Sequence, residues 1–115
     1  MITRRKSRYV LIRSSEPLDM NSKADFGSFR NCMKDFMGER AYVSASMQMA
    51  RQTAANTFII RVNRGTERDA MLATAFIKEL NGRKLGLLTL RMSGSINALM
   101  TFQNQRDANG TLTKS

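Results

Sequence analysis

The sequence predicts an α+β domain whose elements run β-α-β-β-α-β-α. Three observations point to it. Apolar residues recur at helical spacing in two stretches, residues 26–37 and 72–80. Short runs rich in β-branched residues, or alternating between apolar and polar, precede, separate and follow them. Gly38, Gly65, Gly82 and the single proline, Pro17, stand at junctions where a chain must turn or stop.

Each element has its own justification. Residues 1–7 are polar and basic and read as an arm outside the domain. Residues 9–13 form the first strand, and 14–21 a loop around Pro17. Ser22-Lys23-Ala24-Asp25 matches a capping box with Asp25 at its third helical position. Phe26, Phe29, Met33, Phe36 and Met37 then make a helical stripe that ends at Gly38. Residues 42–50 alternate, with Val43, Ala45, Met47 and Met49 on one face, and predict a half-buried strand. A turn is expected over 51–55. The strand at 56–63 places Phe58, Ile60 and Val62 on one face and Thr57, Ile59 and Arg61 on the other. Thr66-Glu67-Arg68-Asp69 is a second cap, followed by the stripe Leu72, Ala73, Phe76, Ile77 and Leu80, with Gly82 as helix stop. Residues 83–91 make the last strand and 95–102 a short final helix. A domain over 8–103 with a flexible tail over 104–115 is the expected organisation. This is the ferredoxin-like, or RRM-like, βαββαβ sandwich with an appended C-terminal helix. Two helices should cover one sheet face and leave the other open to a partner or to RNA.

Composition narrows the function. The 115 residues carry 19 Lys plus Arg against 9 Asp plus Glu, a net charge of +10. A domain this basic meets nucleic acid, an acidic partner or an anionic membrane; charge alone does not choose among them, and phosphate neutralisation makes nucleic acid the first expectation. The chain has no histidine, which removes the commonest general base and zinc ligand. Its one cysteine, Cys32, falls on an amphipathic pattern and reads as a small core filler. The nine acids are placed for helix caps, loops and exposed helix faces, so neither a metal site nor a carboxylate pair is expected. No run reaches the roughly 20 apolar residues of a membrane span. The basic start is followed by too few apolar residues for a secretory leader, so an intracellular protein is expected. Nine methionines suit adaptable packing and a protein interface.

The richest segment is Asn81-Gly82-Arg83-Lys84-Leu85, an apolar strand, then Arg91-Met92-Ser93-Gly94-Ser95-Ile96. Ser93, Gly94 and Ser95 offer hydroxyls and backbone N–H groups at a helix start, where anions are favoured, although serine there is also an ordinary cap. With Arg83, Lys84 and Arg91 on the same segment, a phosphate backbone is the natural ligand. Arg4, Arg5, Lys6 and Arg8 form the densest positive run. Arg61 points away from the Phe58 stripe. Whether Arg13 joins it depends on a strand register that the sequence leaves open.

These pieces resemble the small protein subunit of archaeal ribonuclease P, component 2, of the Pop/Rpp-type family. The family's N-G-[KR]-[KR]-L strand start is matched by Asn81-Gly82-Arg83-Lys84-Leu85, and its S-G-[ST]-I by Ser93-Gly94-Ser95-Ile96. Arg8-Tyr9-Val10 resembles its R-Y-[IV] opening, and Gly38-Glu39 its G-E after the first helix. Asn97, Ala98 and Thr101 depart from it, being neutral where the family carries Lys or Arg. The resemblance implies a non-catalytic subunit that binds ribonuclease P RNA and supports removal of the 5′ leader from precursor tRNA. It implies Mg²⁺ on the RNA and no cofactor on the protein. It also implies a TIM-barrel partner, component 3, in a heterotetramer. An archaeal member would be cytoplasmic, a eukaryotic one nuclear or nucleolar.

Two other readings are weaker. An acylphosphatase needs a glycine-rich phosphate loop after the first strand, and Ser14-Ser15-Glu16-Pro17-Leu18-Asp19 is acidic and lacks glycine. An RNA recognition motif needs stacking aromatics on its third strand, where Phe58 is expected to be core. A ribosomal protein of ferredoxin-like fold is the alternative RNA-binding reading.

Overall fold

The computed structural model describes the backbone of residues 7–113 and the side chains of residues 7–105. The elements are β1 (Ser7–Ser14), α1 (Lys23–Met37), α2 (Glu39–Ala45), β2 (Gln48–Ala54), β3 (Thr57–Asn63), α3 (Glu67–Phe76), β4 (Glu79–Leu80), β5 (Arg83–Lys84), β6 (Leu87–Ser93) and α4 (Ile96–Thr113). Four strands form one antiparallel sheet in the order β2-β3-β1-β6. That is the ferredoxin-like order, with β6 as its fourth strand. β1 lies inside, paired on both edges. Its consecutive residues Val10, Leu11 and Ile12 are all fully buried, because both faces of the sheet are covered there.

The main core lies between the sheet and the layer of α1 and α3. Val10, Ile12, Phe58, Ile60 and Val62 meet Phe29, Met33, Ala70 and Ala73. Phe58 packs edge-on to Phe29 at 5.4 Å and 82°. It is core, as its alternation predicts. Ser22 caps α1 by accepting a bond from the Asp25 N–H at 3.1 Å.

The second face is not open, as the sequence suggested. Leu11 and Ile59 point that way and are roofed by Leu99 of α4, with Tyr9, Leu90, Ile96, Met100 and Phe102 around them. The physical reason is the two large aliphatic side chains at the sheet centre, which gain by leaving water. Leu99→Ala is expected to lower stability by about 2 kcal/mol, the low end of the range for buried leucines, because so small a cluster can collapse. Chemical denaturation measures it.

Three local expectations are corrected. Residues 42–45 belong to α2, which ends at Ser46 in a left-handed conformation (φ 46°); the strand begins only at Gln48. The alternation does not describe one face: Val43 is exposed on α2, Ala45 is buried at the end of that helix, and Met47 is buried just beyond it. Gly82 does not stop a helix. Helix α3 ends at Phe76, and Asn81 (φ 50°) with Gly82 (φ 79°) turns the β4–β5 ribbon. Two positive φ values make this a type I′ hairpin, for which Asn-Gly is the preferred pair. Finally, α4 continues to Thr113, well past the expected end near 102 and through the segment read as a tail.

Candidate nucleic-acid interface

Strand register brings four arginines onto the face that α4 partly covers. Across the sheet, Arg51, Ile59, Leu11 and Arg91 form one row on β2, β3, β1 and β6. The row beside it is Gln48, Arg61, Tyr9 and Ser93. On the other side runs Ala54, Thr57, Arg13 and Leu88. Arg51 and Arg91 therefore stand at the two edges, three strand spacings or roughly 14 Å apart. Arg61 and Arg13 occupy opposite diagonals. The Leu11–Ile59–Leu99 plug sits in the middle. Arg13, Arg51 and Arg91 are exposed and Arg61 is half-buried.

None of the four is neutralised within the described residues. The ion pairs found there are Arg8–Glu67 and Arg83–Asp25. Arg91 lies over the Phe102 ring at 4.9 Å, which orients its guanidinium without consuming its N–H donors. Planar guanidinium groups with five donors each suit phosphate oxygens, and four without an ion-pair partner among the described residues give a field that attracts a polyanion. A β-bulge between Leu11 and Ile12 lets β6 turn both Leu90 and Arg91 toward α4.

The residues singled out in the sequence are divided by the fold. Arg61 and Arg91 join the arginine face. Arg83 does not: its guanidinium donates to the Pro17 carbonyl at 3.0 Å and to Asp25 Oδ2 at 3.3 Å, on the helical side. Lys84 is exposed on the same small ribbon. Arg8 pairs with Glu67 at 3.6 Å, and its Nη1 lies 3.6 Å from where a Cβ on Gly94 would stand. Ser93 Oγ accepts from the Ser95 N–H at 3.1 Å, and Ser95 Oγ from the Ala98 N–H at 3.4 Å. Both hydroxyls thus serve the start of α4 as caps. Arg4, Arg5 and Lys6 lie outside the described residues.

Sequence reasoning missed Arg51, which it placed in a turn, and left Arg13 undecided. Counting back from the Ala55-Asn56 turn would set Arg51 opposite Ile60, on the core face; the register shift between Gln52 and Ala54 sets it opposite Ile59 instead, and no residue in the sequence marks that bulge.

Reacting groups are sparse. The Cys32 thiol donates to the Glu79 carbonyl at 3.9 Å, and burial first, then Asp35 and Glu79, push its pKa up. It stays protonated at neutral pH and is a poor nucleophile. Among the described residues no cluster of three or more His, Cys, Asp or Glu could hold a metal ion. No described helix is long and apolar enough to cross a membrane.

A family model, RNase_P_Rpp14, described as the Rpp14/Pop5 family, matches residues 8–103. The chain belongs to the Rpp14/Pop5 family. The match spans both the arginine face and the Asn81–Gly82 hairpin. As an Rpp14/Pop5 member the chain is a ribonuclease P protein subunit, with a place in tRNA processing and in a ribonucleoprotein. The ribosomal alternative is not favoured. A chain in the "Cryo-EM structure of yeast Ribonuclease MRP" is similar at TM-score 0.49 and 15% identity, over 97% of this chain and 99% of that one. Comparison with curated proteins found no match.

Proposed function

We propose that this Rpp14/Pop5 subunit binds ribonuclease P RNA through the arginine face and holds its catalytic domain in an active shape. The observation that carries this reading is the set Arg13, Arg51, Arg61 and Arg91 on one face, none of them in an ion pair among the described residues. Phosphates brought together in a folded RNA repel one another, and fixed guanidinium groups screen that repulsion. The RNA, with its own Mg²⁺, carries out cleavage of the precursor tRNA 5′ leader, and the chain supplies binding and positioning only. A histidine-free sequence with a protonated thiol supports that division of labour.

A protein partner fits the opposite side of the molecule. Phe36 and Phe76 stack at 5.7 Å and 23° on the outer surface of α1 and α3, and both are more than half exposed. Leu72 and Val43 are exposed on α3 and α2 of the same helical layer. Such aromatic surface is typical of an interface core. The TIM-barrel component 3 subunit is the partner we assign to it, within a heterotetramer. This moves the partner contact from the sheet, where the sequence suggested it, to the helices. Phe76→Glu is expected to weaken capture of a component 3 protein by at least tenfold while leaving RNA affinity unchanged. Calorimetry with each ligand checks both halves.

The deciding experiment is reconstitution of precursor-tRNA cleavage at low Mg²⁺ with an archaeal ribonuclease P RNA and component 3. Activity that depends on adding this chain is the expected result. No gain with competent RNA and folded proteins overturns the reading.

A further inference from the structure

Next to Arg13 the sheet face carries an open groove of about 390 Å³, lined by Arg13, Ser14, Ser15, Gly86, Leu87 and Leu88. Its walls are held in place. Ser15 N–H donates to the Gly86 carbonyl at 2.9 Å, and Gly86 N–H donates to Ser15 Oγ at 2.9 Å. Ser14 is tied to Asn56 through its N–H at 2.7 Å and its carbonyl at 3.2 Å. With those polar groups satisfied by one another, the groove presents mainly apolar surface and one guanidinium. Leu88 is 62% exposed and shares the arginine face through its pairing with Arg13. Among the described residues, the other large apolar side chains left so exposed lie on the helices. A solvated edge strand has no use for it there.

We infer that this groove takes one unpaired nucleotide of the bound RNA, its base lying on Leu88 and its phosphate or base edge held by Arg13. The size supports a single nucleoside, since the volume is near the lower limit of about 300 Å³ for small-molecule pockets. The chemistry also fits. A base offers a flat, weakly hydrated face that gains by covering an exposed leucine, and an edge or phosphate that accepts from guanidinium. The groove is continuous with the row Ala54, Thr57, Arg13 and Leu88, so a strand tracked by the arginines passes its mouth. The inference rests on the arginine-face reading and adds to it a preference for RNA with an unpaired base.

The test uses the whole chain and two RNA hairpins with one stem sequence. One is fully paired, and the other carries a single 2-aminopurine bulge. The chain is expected to bind the bulged hairpin about tenfold more tightly and to change its fluorescence, as burying a base should. Leu88→Ala is expected to abolish the preference and leave affinity for the paired hairpin unchanged; circular dichroism confirms folding. Arg51→Ala should weaken both hairpins alike. Equal binding of the two hairpins, with Arg51→Ala still weakening both, overturns the groove and leaves the arginine face standing. Equal weakening of both by Leu88→Ala also overturns it. So does a bulge preference that survives Leu88→Glu while capture of component 3 is lost, which gives the groove to a protein. Binding of neither hairpin brings down the arginine face and the groove with it.

Discussion

Replacing Arg51 and Arg91 together by alanine is expected to lower affinity for ribonuclease P RNA by on the order of 10–100-fold at physiological salt. The slope of log K against log salt should flatten by roughly 1.5–2 units, one phosphate contact per guanidinium removed. The two residues close one row across the sheet, so an RNA lying over this face engages both. Neither forms an ion pair among the described residues, so their loss leaves no stranded acid. Arg91 gives up its contact with the Phe102 ring, a cost of about 0.5–1 kcal/mol that thermal melting can separate from binding. Lysine at both positions should keep most of the slope and lose part of the affinity, because charge survives and the fork geometry does not. Filter binding across a salt series reads both quantities. A slope unchanged in the double alanine variant removes this face from the RNA surface.

The second large effect is on stability. Asp25 is buried at the start of α1 and holds three partners. Its carboxylate accepts from the Asp19 N–H at 2.9 Å, from Asn81 Nδ2 at 3.2 Å and from Arg83 Nη2 at 3.3 Å. It therefore ties the Pro17 loop and the β4–β5 ribbon to the first helix. Asp25→Ala removes the shared acceptor of the Asp19 and Asn81 donors, both on exposed residues. The guanidinium, 46% exposed, relaxes into water. The expected loss is about 2–3 kcal/mol, with the exposed ion pair contributing little of it. For a domain of this size that is a fall in Tm of about 10 °C. Arg83→Ala should cost less than about 1 kcal/mol, since Asp25 keeps two donors. Scanning calorimetry on the two variants distinguishes them. Equal losses would mean that the ion pair, not the backbone and amide bonds, holds the loop. This clamp also explains why Arg83, next to Lys84 in a basic segment, belongs to the fold more than to the ligand surface.

Local chemistry was readable wherever one segment decides its own conformation. The Ser22 cap, the Phe29–Met33 stripe and its stop at Gly38 follow from helix periodicity and end effects. The alternation of Phe58, Ile60 and Val62 was sufficient to place Phe58 in the core and Arg61 on the far face, because side chains on a strand alternate strictly. The composition favoured nucleic acid without choosing it, since a charge of +10 without histidine suits phosphate binding better than acid–base catalysis. The short motifs at residues 8–10, 81–85 and 93–96 were enough to point to the family.

The arginine face itself was decided only by the tertiary structure. Arg13, Arg51, Arg61 and Arg91 are far apart in sequence, and only pairing of β2, β3, β1 and β6 in one register makes them neighbours. A shift of one residue in any strand would turn its arginine to the other face. Whether α4 roofs Leu11 and Ile59 was equally illegible, because a roof depends on where a distant helix lands. The same holds for Arg83, whose charge is visible in the sequence and whose partner, Asp25, is 58 residues away. Sequence determines which groups are present and how each segment coils; the long-range pairing of segments determines which charges remain free to meet a ligand.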